Sequence, residues 1–355
     1  MSKQVEKTKN CPSCGGKLEY SASHQNLFCA YCHGIVEIDK IKQQKFHDLS
    51  SAHDTIKEDK EFAKNNSVFN CENCGSQIVL SSSEFSKSCP YCGSYNIKKT
   101  RKNPGIAPDN IIPFSIEKED AATRYKLAMK KKFFAPNEFK KKPPIDKIYG
   151  IYVPTLCFNA NSETRYHGDI REQHTHIDAQ GFRQTSYTYR PISGNIACSH
   201  KNVLVESSSY MNQLEFESIG KFDYRNLFLY NDDFIRGYYI EYHTTPLNIC
   251  HDVAKNIMKS EISSSIRSRY FGKDVVHLSL NTKYSEENFA YYLLPTYKCE
   301  YTYKDKKYNA YINGQTGKVG GFAPKSSIKI TFFVLALLLI FGGFTALFLY
   351  LFYSV

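Results

Sequence analysis

Residues 71–92 read CENCGSQIVLSSSEFSKSCPYC, and residues 11–32 read CPSCGGKLEYSASHQNLFCAYC. Both are C-x2-C-x14-C-x2-C, an internal repeat offset by 60 residues, so that Cys11, Cys14, Cys29 and Cys32 correspond to Cys71, Cys74, Cys89 and Cys92. A C-x2-C turn puts two sulfurs on one metal ion while its backbone N–H groups bond to them, and four thiolates suit the tetrahedral preference of Zn²⁺. Gly15, Gly75 and Gly93 follow the second Cys of three of the turns, where the chain needs a left-handed residue, whereas Cys32 is followed by His33 and then Gly34. The pattern predicts two four-cysteine zinc ribbons with two structural Zn²⁺ ions. Each ribbon is too short to hold a core without its metal, and four cysteine ligands leave no open position for a substrate. Disulfides are the alternative, disfavoured by the spacing and by the reducing compartment inferred below. An iron–sulfur cluster is a weaker competitor.

Outward from the repeat, the 355-residue chain divides by composition. Residues 1–39 are the first ribbon. Residues 40–67 are polar, with Leu49, Ala52, Ile56 and Ala63 near helical spacing, and read as a helical spacer. Residues 68–97 are the second ribbon. Residues 98–144 are a basic linker with Pro104, Gly105 and Pro108, then a helix capped by Ser115 that carries Ala121, Tyr125 and Ala128 and ends at Lys130–Lys132. From 145 to 325 the β-branched and Tyr-rich runs Tyr149–Val153, Ser186–Tyr189, Gly237–Tyr242 and Phe289–Leu294 predict antiparallel strands. Lys298–Tyr303 and Lys307–Ile312 form a further hairpin, and Asn313-Gly314 opens a tight turn. One helix interrupts them, with Thr245 as N-cap, Pro246 at its first position, and an apolar face of Ile249, Val253, Ile257, Ile262, Ile266 and Tyr270. The fold class expected is α+β: two small ribbons, an antiparallel-sheet-rich α+β domain and one C-terminal transmembrane helix, residues 328–354.

Residues Ile330 to Tyr353 carry no charge although the mean hydropathy of the chain is negative. As a helix they measure about 36 Å against a hydrocarbon core of about 30 Å, enough for one tilted span. Met1 to Asn10 is polar and reads as no signal peptide, so the chain is expected to be tail-anchored. Lys325 and Lys329 flank the entry side, which predicts a single pass through the cell membrane with the N-terminal body in the cytoplasm. Lys plus Arg exceeds Asp plus Glu by 46 to 35, a net +11 that points to anionic partners. The surplus is local, because residues 87–147 hold 15 Lys or Arg against 6 Asp or Glu. Eight thiolates around two Zn²⁺ would add about −4 to the +11, giving about +7 and leaving the ribbons less basic than a nucleic-acid reader would favour. The basic stretch is then expected to meet the anionic inner leaflet, worth about 1 kcal/mol per nearby Lys or Arg.

The other cysteines, Cys157, Cys198, Cys250 and Cys299, lack paired spacing and are expected in apolar packing. His174, His176 and Asp178 alternate, with His167 and Asp169 just before, and an exposed polar strand face is preferred to a second metal site. Cys198 and His200 are read in the same way. Gly314 to Lys318 reads GQTGK, two residues short of a phosphate-binding loop and followed by Val319, so it is a turn. No nucleophile elbow, metalloprotease helix or dinucleotide fingerprint is present, and no catalytic residue is nominated.

The ribbon Cys71–Cys92, Ile112-Pro113-Phe114 followed by a helix and Phe134-Ala135-Pro136-Asn137, the run Tyr149–Pro154, and Leu294-Pro295 through Asn313–Lys318 together resemble a bacterial family. It is that of transcription-factor-IIB-type zinc-ribbon membrane proteins, often labelled a replication-restart primosomal helicase subunit. The resemblance covers roughly residues 68–322, and the ribbon at Cys11–Cys32 lies outside it. It implies a membrane-attached assembly or recruitment role, linked in some relatives to envelope stress, rather than a motor. The expected function is a non-enzymatic membrane-anchored zinc-ribbon adaptor that gathers cytosolic or membrane proteins. The alternative is a nucleic-acid-binding zinc-ribbon protein of replication or transcription, whose binding would weaken steeply with salt.

Overall fold

The computed structural model describes residues 10–51, 60–81, 88–141, 147–177, 179–208, 211–303, 306–321 and 323–353. The first ribbon is a small sheet of its own, β1 (Leu18–Ser21), β2 (Asn26–Cys29) and β3 (Ile35–Val36), in the order β1-β2-β3. After it come β4 (His47–Asp48), α1 (Lys60–Asn65), β5 (Asn66–Cys71), β6 (Gln77–Ser81), β7 (Ile97–Lys99) and β8 (Asn110–Ile111). Helix α2 (Lys118–Lys131) leads to β9 (Ile148–Ile177) and β10 (Arg183–Glu206). Then follow α3 (Gln213–Ser218), β11 (Phe228–Leu229), β12 (Tyr239–Glu241) and α4 (Leu247–Arg269). The chain closes with β13 (Asp274–Tyr303), β14 (Lys306–Asn313), β15 (Val319–Gly321) and α5 (Ser327–Tyr353).

Two strands of 30 residues, β9 and β13, organise everything else. They pair antiparallel from Arg171↔Asp274 to Ile148↔Cys299, a ladder of about 80 Å at the usual strand rise. On its other side β9 takes β12 near its start, Ile151↔Tyr239, and β10 from Thr155 onward. Strand β13 takes β4, β8 and β14 in turn along its outer edge. Beyond Arg171, among the described residues, only β9 and β10 continue, as a two-stranded arm exposed to solvent. The sheet is mixed rather than antiparallel throughout, since β12 runs parallel to β9 and β8 parallel to β13.

The division at residues 67/68 and 144/145 does not divide the sheet. Strand β6 of the second ribbon pairs with β12, Val79↔Ile240 and Ile78↔Glu241, so that ribbon is woven into the large sheet. The spacer is not one helix either. Its described parts are an extended run, β4 paired to β13, a 3-10 turn at Leu49–Ser51, and α1 with Phe62 buried; Ala52 and Ile56 lie outside the described residues. Hydrogen bonding decided this: Lys45 N–H donates to Asn110 Oδ1 and the Asn110 amide to the Gln43 carbonyl, holding the strand extended.

Both long helices shift relative to their sequence reading. Helix α2 begins at Lys118, with Glu117 in the N-cap position and no side-chain cap. Ser115 is engaged elsewhere: its N–H and that of Ile116 both donate to the Gly314 carbonyl. In α4 the buried positions are Cys250, Ala254, Met258, Ile262 and Ile266, while Ile249 is half exposed and Val253 and Ile257 lie at the flank. An i, i+4 row rotates slowly around the helix, and it follows the twist of the β9–β10 surface on which α4 lies.

At the centre, Phe114 stacks on Tyr238 at 4.1 Å between centroids and packs edge-on against Tyr152 at 5.0 Å. Tyr297 lies 4.7 Å away, and Gly314 sits so close that a Cβ there would come within 2.5 Å of the Phe114 ring. Three tyrosine hydroxyls here donate to backbone carbonyls: Tyr20 to Phe114, Tyr152 to Phe234 and Tyr297 to Ile116. Ile112-Pro113-Phe114, the Tyr149–Pro154 run and the Asn313-Gly314 turn are thus neighbours in space, with the first ribbon joined to them through Tyr20.

Candidate metal centres

Each C-x2-C turn folds by the same hydrogen bonds. Gly15 N–H donates to Cys11 O, Gly75 N–H to Cys71 O and Gly93 N–H to Cys89 O, with φ of +72°, +74° and +71°. In the fourth turn His33 N–H donates to Cys29 O, and His33 itself adopts φ +59°. The missing glycine is therefore not replaced by Gly34; His33 carries the left-handed conformation.

The four sulfurs of Cys11, Cys14, Cys29 and Cys32 lie within 4.8 Å of one another, as do those of Cys71, Cys74, Cys89 and Cys92. Cys11 and Cys32 are 3.5 Å apart and Cys14 and Cys29 3.5 Å; the matching pairs of the second group are at 3.6 and 3.7 Å. A metal–sulfur bond of about 2.3 Å places tetrahedral sulfurs about 3.8 Å apart, so both groups fit a four-thiolate ion. All the cysteines are free thiols. Both groups sit at the surface, with Cys14, Cys32 and Cys74 exposed and Cys11, Cys29, Cys71 and Cys89 buried.

Without a cation the sulfurs compete for protons. In the first group, backbone N–H donation from Ser13 draws Cys11 down to about 6. Gly16 N–H pulls Cys14 the same way, but the hydrogen bonds from Cys32 and Cys29 outweigh it and push Cys14 up to about 12. In the second group burial raises Cys89 to about 12. Desolvation acts on Cys92 in the same sense, but the Ser94 and Asn73 donors together overcome it and bring Cys92 down to about 7. A divalent cation removes this conflict by stabilising all four thiolates together.

The two groups differ in their surroundings. At the second, the buried Ser76 hydroxyl lies 3.0 Å from Cys89 Sγ and accepts from Cys74 Sγ at 3.2 Å, and the Asn73 amide reaches Cys92 Sγ. The position equivalent to Ser76 in the first ribbon is Gly16, where a Cβ would meet Tyr31 at 2.7 Å and Cys29 Sγ at 3.2 Å. Below the second group lies a buried polar junction. The Tyr91 hydroxyl donates to Glu241, Lys298 Nζ donates to the Tyr91 carbonyl and sits 4.4 Å above the Tyr91 ring, and Ser208 N–H donates to Glu206. Burial, reinforced by the neighbouring Glu241 carboxylate, pushes Glu206 up to about 9. Of these groups Asn73, Ser76 and Tyr91 lie within or beside the C-x2-C turns, whereas the two glutamates are far apart in sequence and sit in otherwise apolar runs.

The remaining candidates separate. His174 and His176 are exposed on the arm, with His174 bonded to Thr188 Oγ1, and Asp178 lies outside the described residues. Among the described residues only the two cysteine groups assemble as metal sites. Cys157, Cys250 and Cys299 are buried, and burial raises each to about 12, which keeps them as thiols. His200 is buried and joins Ser162 Oγ at 2.9 Å to Glu261 at 2.7 Å. That order resembles a serine hydrolase relay, but Ser162 is 2% exposed, beneath the sheet–helix packing, where an acyl substrate cannot reach its oxygen.

No family model matches the chain. No solved structure matches it either. It is similar to a protein of Bacillus subtilis (strain 168) described as "Uncharacterized protein YdjG", with 27% identity over 228 residues, 63% of this chain. The chain spans 66% of that relative's length.

The C-terminal helix α5 contains a 20-residue stretch, Ser327–Ala346, none of which is buried, and it is long and apolar enough to cross a membrane. Leu335, Leu338, Leu339 and Phe341 are each half exposed or more.

Proposed function

We propose that the protein is a non-enzymatic adaptor, anchored in the cell membrane by α5 with its body in the cytoplasm, whose two four-cysteine groups each hold a structural Zn²⁺ and present partner-binding surfaces. The observation that carries this reading is the combination of two closed four-sulfur groups at the surface with an uncovered apolar helix at the other end of the chain. A closed thiolate site supplies shape and stability and leaves no coordination position for a substrate. Both ribbons expose large apolar side chains beside the metal site, Tyr31 at 79% and Ile35 at 51% on the first and Tyr95 at 82% on the second. Lone apolar groups on a metal-stiffened turn are suited to docking a folded partner. Recruitment at the membrane also agrees with the assembly role that the sequence resemblance implies, including its connection with envelope stress.

The test has two readouts on full-length protein extracted in detergent. Elemental analysis is expected to give two zinc ions per chain, and one in the paired variant C11S/C14S. Co-purification from crosslinked membranes is expected to recover a defined protein that is lost from Y31A/I35A or Y95A, which leave the sulfurs in place. Metal-free wild-type protein, or the same protein set from all variants, refutes the reading. Recovery of nucleic acid in place of protein, with steep salt dependence, assigns the ribbons to the alternative role.

A further inference from the structure

The base of α5 is clasped by the segment that follows α2. Ser326 N–H donates to the Phe134 carbonyl at 2.8 Å, and Lys329 Nζ donates to the Ala135 carbonyl at 2.7 Å and to Asn137 Oδ1 at 2.8 Å. Phe134 and Phe133 meet Phe333 of α5 at 5.3 and 6.2 Å between ring centroids. From the other side Lys140 Nζ reaches the Phe133 carbonyl, and Lys132 Nζ the Gly321 carbonyl. These bonds hold the turn at a fixed height on the helix rather than leaving it beside it.

That height matters. Lys329 is the last charged residue before the uncharged run of α5, and Phe333 lies one turn beyond it, about 6 Å further along the axis. Phe133, 63% exposed although apolar, is therefore carried past the last charge of the helix, to the depth at which interfacial side chains sit between headgroups and acyl chains. Around it, Lys130, Lys131, Lys141 and Lys325 are exposed, and none makes an ion pair with a carboxylate among the described residues; Glu138 is the one acidic side chain within the turn. An exposed aromatic ring on a lysine-rich turn, at the point where an apolar helix leaves the body, matches a surface of phosphate headgroups over hydrocarbon.

We propose that the turn 130–141, with Lys325 and Lys329, is a collar that seats the body on the anionic phospholipid headgroups of the leaflet α5 enters, with Phe133 inserted into the interfacial layer. The inference rests on α5 being a membrane span. It adds to that reading a second contact, which removes the rotational and tilting freedom that a body on a single helix would otherwise keep. Each exposed Lys at the surface shifts the docked-to-undocked ratio about fivefold, so three together act about a hundredfold.

The chain has no tryptophan, so single substitutions give unambiguous reporters. Full-length F133W, L338W and Y95W are each reconstituted in vesicles of zwitterionic lipid with and without 30% phosphatidylglycerol (on the order of an ordinary anionic fraction), with bromine-labelled acyl chains as quencher. L338W, in α5, reports the span; Y95W, at a position 82% exposed on the second ribbon, reports an exposed ring outside the collar. The expected result is quenching of F133W that appears with anionic lipid, weakens in high salt, and falls to the Y95W level when K130Q, K131Q and K141Q are added. Quenching of L338W without quenching of F133W overturns the collar and leaves the span. Quenching of neither overturns both, and quenching of F133W that is indifferent to anionic lipid and to the three Lys substitutions overturns the headgroup assignment.

Discussion

Replacing Glu206 by Gln should stabilise the protein at neutral and alkaline pH and leave it nearly unchanged at pH 5. Burial, with Glu241 as a close second carboxylate, lifts the Glu206 carboxyl from 4.5 to about 9, so the folded state keeps a proton that the unfolded chain has released. For an acid whose folded value is raised, stability is complete below the unfolded value and falls as pH rises towards the folded one, here from about 4.5 to about 9. At pH 7.5 the window already crossed is about 3 pH units, which at 1.36 kcal/mol per unit is about 4 kcal/mol. Gln has the same shape, accepts the Ser208 N–H through its carbonyl oxygen, and carries no charge to bury. The melting temperature of E206Q should therefore exceed that of wild type by roughly 10 °C at pH 7.5 in a fold of this size, and converge with it near pH 5. Circular dichroism melts of the detergent-solubilised protein between pH 5 and 8.5 measure this. Parallel curves, with a constant offset between the two proteins, would refute the assignment of Glu206 as a neutral buried acid.

The metal centres and the core make further predictions. Ser76→Ala removes the hydroxyl beside Cys89 without changing the turn, and should weaken metal retention at the second centre by about tenfold in competition with a chromogenic chelator, leaving the first unaffected. His33→Gly relieves the one left-handed residue in the four turns that is not glycine, and should make chelator-induced unfolding of the first ribbon harder by about 1 kcal/mol. Gly314→Ala would drive a methyl within 2.5 Å of the Phe114 ring and 2.9 Å of Pro295, and should lower stability by about 2 kcal/mol in denaturant titrations. C71S/C74S should lower the melting transition of the whole sheet, whereas C11S/C14S should detach a local unit, because β6 pairs with β12 while the first ribbon keeps its own sheet. Hydrogen exchange read by mass spectrometry separates the two outcomes.

Much of the cysteine arrangement was legible because four ligands for one ion leave their spacing in the sequence. Cys11 to Cys32 and Cys71 to Cys92 fold as repeats, and even the exception at His33 falls where the repeat located it. The apolar run of α5 was equally plain. What could not be read was where segments pair. β4 and β8 are two residues long, too short to leave a periodicity, yet they seat the spacer and the linker against β13. In α4 the conspicuous residues Ile249, Val253 and Ile257 drew attention from Cys250, Ala254 and Met258, whose smaller or unbranched side chains allow the closer approach to the sheet. Glu117 illustrates the same limit. As the N-cap residue of α2 it makes no side-chain cap, because its carboxylate takes the Ser21 hydroxyl and the Ser23 N–H of the first ribbon, a contact across some 95 residues of sequence.

The length of β9 and β13 has a mechanical consequence. Because their ladder runs from the root of the arm to the edge of the second ribbon, broken by register shifts at Val276/Ser279 and Ser285/Asn288, a pull along the arm loads it lengthwise, and the hydrogen bonds within each stretch must yield together instead of opening one at a time. The ends of the beam lie in different surroundings: one in solvent at the base of the two-stranded tip, the other at Lys298 and Cys299 next to Tyr91 and the Cys89 turn. A load applied at the tip is thus delivered to the end that carries the second four-cysteine group without slack. Force spectroscopy with handles at the arm tip and at the second ribbon should give a single high-force rupture, whereas handles placed across β9 and β10 at the tip should unzip the hairpin gradually at low force.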